Sequence, residues 1–366
     1  MSRLARRSLH ALASLKLTVA LIALSLALVF VGTLAQVGHS LLWVQQNYFH
    51  RLIAWVAVPG PDSFKLPMPG GYLLGGLLLV NLLASQVTRF EPRWRRVGTL
   101  LMHAGIVLLL AGELISGLCR VEGRMAIAKN ESANYVEDAH RMELVVIDPS
   151  PADHDRIVGV PQSMLAGGGM IRDAQLPFDV HVERWLANSE LVDGTAREVP
   201  LETGVSGRID IPSADLTLER DGVPLGRWIV SADPRVAPQP VEVDGRTYDI
   251  ALRPRRDYKP YTIHLLEFTH EKHPGTDRPK RFESRIRLVD PAAGVDREAR
   301  ISMNQPLRYA GETIYQSSFQ GEDVTVLLVV NNPGWLVPYL ACVVIAIGML
   351  LHFARSLVGF ARRPAS

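Results

Sequence analysis

Val97-Gly-Thr-Leu-Leu-Met-His103-Ala-Gly-Ile-Val-Leu-Leu-Leu-Ala-Gly-Glu113-Leu-Ile-Ser-Gly-Leu118 is the stretch on which the fold turns. It holds a single formal charge, Glu113, and a helix needs about 20 apolar residues to cross a bilayer core. Three more blocks approach that length: about Leu17 to Ala35, about Pro69 to Val87 (short and Gly-rich), and Gly334 to Ala354. The mean hydropathy of +0.11 conceals this, because the apolar residues are gathered into these blocks. Residues 119–333 are polar throughout and read as one folded domain. The expected fold is therefore an integral membrane protein with four transmembrane α-helices, three N-terminal and one C-terminal, plus a large β-rich extracytoplasmic domain. The expected division is 1–118 (three spans with an outer loop at 36–68), 119–333 (β-rich domain) and 334–366 (last span and tail).

Arginine placement orients the chain. Arg3, Arg6, Arg7 and Lys16 precede the first span; Arg89, Arg93, Arg95 and Arg96 fill the turn between the second and third; Arg355, Arg362 and Arg363 follow the fourth. The loop 36–68 carries only Arg51 and Lys65. Under the positive-inside rule both termini are cytoplasmic and the large domain lies outside. The first apolar run exceeds the 7–15 residues of a cleavable signal, so it is read as a span. Within 36–68, Leu41, Trp43, Val44, Tyr48, Leu52 and Trp55 suggest an amphipathic helix at the outer interface, or a packed loop helix.

Composition removes several classes. A formal net charge of +2 excludes a strongly basic nucleic-acid binder, and two cysteines exclude a disulfide scaffold or a Cys-rich metal site. No C-x-x-C, nucleophile elbow or H-E-x-x-H occurs, and Gly167-Gly-Gly169 lacks the Lys-Ser/Thr of a phosphate loop. A Cys119–Cys342 disulfide is not expected, since one residue is at the outer surface and the other inside a span.

Alternating apolar and polar residues mark the insert as β structure. The runs are Met142–Ile147, Phe178–Trp185, Val241–Ile250, Tyr261–Phe268, Glu283–Val289, Ala299–Met303, Thr313–Ser317 and Val324–Val330, with Asp244-Gly245 as a two-residue hairpin turn. A sandwich or other antiparallel assembly is expected.

His103 is the leading candidate site residue. It lies six residues past Val97, about 9 Å into the third span, where ionisable groups are rare and mark function by default. Axial ligation of haem iron and proton relay are the functional readings; a neutral imidazole bonded to backbone is the bland one. Glu113, about 15 Å further along and rotated about 80°, supports a relay poorly. Gly98, Gly105 and Gly112 recur every seven residues, a stripe suited to close helix packing. His103 is about 160° from Gly105, so the stripe is expected to pack within the chain's own bundle, leaving His103 for a cofactor or a partner subunit. His352, late in the fourth span, is a second and weaker ligand candidate that could complete a bis-histidine pair. The outer histidines His140, His154, His181, His264, His270 and His273 are scattered.

These residues resemble a family. Leu15-Lys-Leu-Thr-Val-Ala-Leu with Val31-Gly-Thr-Leu-Ala-Gln36 resembles the first span of ResB (CcsB) proteins, and His103 to Gly112 their third-span motif. Asn304 to Ser318 and Asn332-Pro-Gly-Trp335 resemble the late outer signature and the entry to the last span, while about 150–300 matches little. The resemblance implies system II cytochrome c maturation. It implies a CcsA (ResC) type partner carrying a tryptophan-rich haem-handling loop, apocytochrome c as client, and haem b held transiently between the two membrane proteins. His103 matches the family histidine that is thought to ligate haem near the inner face with a histidine of the partner. With no tryptophan-rich loop of its own, the chain is expected to be a non-catalytic or accessory subunit of a haem lyase (holocytochrome c synthase) complex. Two other readings stand beside it: a b-type electron-transfer subunit holding haem through His103 and His352, and a membrane-anchored extracytoplasmic binding module.

Overall fold

A computed structural model describes residues 3–57, 64–89, 96–151, 154–201, 210–272, 279–321 and 323–361. Arg93, Arg95, Arg362, Arg363 and His273 lie outside the described residues. The described residues form two compact units, one from 1–120 and 332–366 and the other from 121–331.

The first unit is helical: α1 (Arg3–Leu12), α2 (Leu15–Ala35), the short α3 (Leu41–Val44), α4 (Gly71–Arg89), α5 (Val97–Cys119), and the last helix, α7 (Val337–Ala361). Four of these are long and apolar enough to cross a membrane, over Leu15–Ala35, Gly71–Thr88, Val97–Cys119 and Val337–Val358. The second span starts later than the hydropathy suggests because Lys65–Pro69 (β2) pairs with Ile53–Ala57 (β1) instead of joining the helix. The fourth starts later because Gly334 N–H donates to Asn332 Oδ1 at 2.9 Å, making a turn of the Asn-Pro-Gly-Trp segment.

The amphipathic helix expected across 41–55 stops short. After α3 the chain makes a π-helical turn over Gln45–Phe49, and Trp55 lies in β1. Val44 and Tyr48 are buried with Leu21, Leu28, Ala54 and Leu74, so tertiary packing, not a lipid-facing stripe, uses these apolar residues. Asn81 of α4, 2% exposed, holds the corner between α1 and α2. Its amide donates to the carbonyls of Leu12 and Ser14, and its oxygen accepts from Thr18 Oγ1 at 2.7 Å. A polar group in apolar surroundings is tolerable because it is fully satisfied.

The glycine stripe of α5 is buried, and it packs against α7. A Cβ on Gly98 would lie 2.7 Å from the Gly348 carbonyl, one on Gly112 would lie 2.7 Å from Val337 Cγ1, and one on Gly105 would collide with Ile345 Cγ1. Only a hydrogen lets the two backbones approach so closely.

The second unit is β-rich. Its largest sheet runs in the order β15 (Val295–Ser302), β14 (Pro279–Asp290), β13 (Arg246–Lys272), β4 (Ser132–Asp148), β3 (Val121–Ala128), β18 (Val324–Asn331), β17 (Glu312–Gln320), β16 (Leu307–Tyr309). Off this path β5 (Arg156–Pro161) pairs with β4 and β12 (Gln239–Val243) with β13. A second sheet orders β11 (Val223–Ser231), β10 (Ser213–Arg220), β7 (Asp179–Leu186) and β6 (Gly169–Ile171). The eight expected strand runs all lie within or largely within strands, and Asp244-Gly245 turns β12 into β13 with φ of 52° and 74°, the left-handed pair that a two-residue hairpin needs.

Two cores result. One packs the second sheet (Val180, Val182, Leu216, Leu218) on Leu144, Val146, Ile250 and Leu252; the other gathers Met125, Ile127, Val136, Tyr261, Ile263, Leu265, Ile286 and Leu327. β4 and β13 are long enough to serve both. Between the cores their register slips: residues 139–141 of β4 face no partner where Pro254 steps to Arg255, and 259–262 of β13 bulge where Tyr258 steps to Ile263. Four pairs, Arg255–Asp138 to Tyr258–Tyr135, are held in the shifted register between the two bulges.

Replacing Gly105 by Leu is expected to destabilise the α5–α7 contact by roughly 1–3 kcal/mol, lowering the thermal midpoint of the purified protein. Gly76→Leu, where a Cβ would meet nothing within 4 Å, serves as the silent control. A second expectation concerns acid. Asp233 accepts hydrogen bonds from the Arg235 N–H and guanidinium, which hold its carboxyl down at about 2. A depressed carboxylate stabilises the fold above its ordinary value near 4 and loses that contribution as pH falls toward 2. Asp233→Asn should therefore flatten the acid limb between pH 4 and 2 in a near-UV circular dichroism titration while costing stability at pH 7.

Candidate functional site

His103 sits one and a half turns into α5. Its Nδ1 is 2.8 Å from the carbonyl oxygen of Thr99, one turn back. A carbonyl only accepts, so Nδ1 carries a proton in this bond. Metal-ligating histidines are oriented in this way, with the non-ligating nitrogen donating to a carbonyl or carboxylate. The side chain is half-buried, whereas the glycines on either side of it in sequence are buried against α7.

His352 is placed differently. Its backbone N and Cα stand close to Gly98, so its main chain takes part in the α5–α7 contact, while the residue as a whole is exposed and its ring stands edge-on to Phe353 at 5.5 Å. His103 and His352 form no ring contact with each other among the described residues. Glu113 is exposed on α5, and Cys119 and Cys342 are both free and exposed.

Among the described residues the outer histidines are not gathered into a site. His181 bonds Glu183 at 3.1 Å on an exposed strand face, and Thr217 and His181 together draw the Glu183 carboxyl down. His270 is stacked among Phe268, Phe282 and Phe319, its Nε2 buried without a hydrogen bond. Among the described residues no group of three His, Cys, Asp or Glu side chains could hold a metal ion. Two loop histidines escaped the sequence reading. His39 stacks on Trp43 at 3.7 Å and His50 on Tyr72 at 5.3 Å. The His39–Trp43 spacing of four, with Trp43 already singled out, was the available signal.

The segment Asn304–Ser318 forms the β16–β17 hairpin, turned at Ala310 and Gly311 with φ of 49° and 79°. It delivers Glu312 to the bulge of β13. Glu312, 8% exposed, accepts from Tyr261 Oη at 2.6 Å and from Lys259 Nζ at 2.8 Å, and Lys259 also donates to Asp257 at 2.6 Å. Burial works against the Lys259 charge, but the two carboxylates outweigh it and raise its pKa; burial and the neighbouring carboxylate both push the Tyr261 hydroxyl up. Further along the same strands Arg253 pairs with Glu143 at 3.1 Å, and Arg256 pairs with Glu137 at 3.0 Å while lying over the Tyr135 ring.

Residues 241–334 match the ResB-like family. Over that stretch the chain is similar to ResB-like proteins. The matched region opens in β12 and ends at the turn before α7, so the family likeness begins upstream of the Asn304–Ser318 hairpin, in a stretch where the sequence motifs alone gave little. His103 and the first three spans lie outside the matched residues. Protein NrfI of Wolinella succinogenes is 26% identical over 282 residues, covering 75% of this chain and 29% of that protein. The cytochrome c haem lyase CcmF superposes over 77% of this chain and 31% of its own at 12% identity, with a TM-score of 0.20 that carries no argument about fold. The chain thus spans under a third of the length of either protein.

Removing Glu312 would strand Lys259 and the Tyr261 hydroxyl. Glu312→Ala is expected to cost about 3–5 kcal/mol, the usual penalty for breaking a buried pair, seen as a lower denaturation midpoint. The double change Lys259→Met with Glu312→Leu should recover most of it, because both buried charges then go together.

Proposed function

We propose that this ResB-like chain is the membrane subunit of a cytochrome c maturation complex, handing haem to apocytochrome c together with a CcsA/ResC-type partner. It is an accessory subunit of a haem lyase, not a catalyst by itself. Both termini are cytoplasmic, the β domain faces outward, and the membrane is the bacterial inner membrane. Haem b is cargo, held transiently and shared with the partner.

The observation that carries this reading is the Thr99–His103 hydrogen bond. It supports His103 as an axial ligand by fixing the tautomer whose Nε2 can donate to iron. Packing the glycine face on α7 leaves the histidine's side of α5 uninvolved in that contact, about 160° away on the helical wheel. The second axial position then falls to the partner. Permanent haem held by His103 and His352 together is less well supported, since His352 contributes its backbone to the helix contact and the two rings are not in contact.

The test is co-expression with a CcsA-type partner and absorption spectra of the purified complex. His103→Ala should remove most of the haem absorption and most of the mature c-type cytochrome, while His352→Ala leaves both near wild type. Unchanged haem and cytochrome in the His103 variant would overturn the assignment, and loss in the His352 variant would favour a resident b-type haem.

A further inference from the structure

The slipped stretch of β4 and β13 lines a cleft of about 330 Å³. Val121, 65% exposed, is its accessible apolar side chain, whereas Val136 and Val329, 6% and 3% exposed, belong to the second core beneath it. Val121 and Asn331, where the chain enters and leaves the domain, line it as well. Its cations are Arg141, Arg255 and Lys259. Arg141 lies in the β4 bulge and Lys259 in the β13 bulge, and bulges are devices that re-aim side chains.

The acidic residues of the cleft outnumber the basic ones, yet the acids are engaged. Glu312 and Asp257 are bonded by Lys259, Asp138 pairs with Arg141 at 3.7 Å, and Glu122 also has a partner. Arg255 stands opposite Asp138 in the register, but Asp138 pairs with Arg141 instead. Among the described residues, Arg255 is the ionic side chain of the cleft left with no ion pair or hydrogen bond. A guanidinium offers a planar fork that fits a carboxylate in bidentate fashion.

We infer that this cleft binds a carboxylate carried on an apolar body, its carboxylate on Arg255 and its apolar part against Val121. Arg141, loosely held at the rim, is the second cation such a ligand can recruit. A porphyrin with free propionates and a fatty acid share this chemistry. Taking the porphyrin as the source rests on the function proposed above; the carboxylate site does not.

The test uses the purified full chain titrated calorimetrically with metal-free protoporphyrin IX, its dimethyl ester, and laurate. Metal-free porphyrin cannot be ligated by His103, so the cleft is read separately from the span. Arg255→Ala should weaken binding of a free-carboxylate probe about tenfold, and Arg255→Lys should restore part of it. The dimethyl ester should bind wild type as weakly as the acid binds the variant. Weakening confined to protoporphyrin IX fixes a porphyrin as the ligand, and weakening confined to laurate supports the site with a fatty acid as its occupant. Equal binding of both acids to wild type and Arg255→Ala, with unchanged melting, overturns the proposal. His103→Ala should bind metal-free protoporphyrin IX as wild type does, so the cleft can stand where the haem-ligand reading fails, and the reverse.

Discussion

The pairing of β4 with β13 is the constraint on which the β domain depends. Each strand contributes inward residues to both cores, Val136 and Leu144 from β4, Ile250 and Ile263 from β13. A strand's side chains alternate with period two, so a slip of an odd number of residues exchanges its two faces. Three residues are gained on β4 at one end of the central stretch and three on β13 at the other, and the shifts cancel. The outer parts of the ladder therefore share one register while the middle is offset. In the offset middle Val136 packs into the second core and Arg256 pairs with Glu137, with Arg253–Glu143 and Lys259–Glu312 just beyond its two ends. These are partly or largely screened from water, so each is worth more by being complete than by its charge alone.

In the helical unit the corresponding constraint is steric. Three glycines at a spacing of seven choose which face of α5 meets α7, and that choice decides what His103 can do. Had the histidine lain on the glycine face, the close backbone approach would have left no room for its ring. On the face it does occupy, the imidazole is half-buried and its Nδ1 is committed to its own helix at the Thr99 carbonyl.

Much of this was legible in residues 97–118, 142–147, 241–250 and 324–330, where a single periodicity runs uninterrupted. The stretch 251–260 was not, because Ala-Leu-Arg-Pro-Arg-Arg-Asp-Tyr-Lys-Pro has five charges and two prolines and reads as a loop. It is strand only because partners on β4 and β17 take up its charges, and because Pro254 and Pro260 lie at the register breaks, where the ladder is already interrupted. β3 and β10 had a usable signal in Met125, Ile127 and in Ala214, Leu216, Leu218, but each run is short and flanked by charge. The histidine candidate was legible from depth alone; its tautomer was not, since that depends on one hydrogen-bond distance. Arg255 carried no sequence signal, being one of four arginines or lysines in seven residues, distinguished only by which carboxylates its neighbours take.

The family match over 241–334 has a physical reading in these terms. It spans β12 to β18, and so includes the whole of β13, both bulge-side partners of Lys259, and the hairpin that supplies Glu312. A hairpin that only closed a sheet edge would need apolar residues and a turn, which Leu307, Ile314 and Ala310-Gly311 provide. Glu312 adds a buried carboxylate, a costly choice unless the charge does something that packing cannot. What the charge does here is pair with Lys259, a cation of the cleft lining. With Lys259 committed inward, the charge left for a ligand is the guanidinium of Arg255. Among the described residues of the cleft, Arg255 is the cation left without an ion pair once the triad is complete, and that is the reason the inferred ligand is a carboxylate.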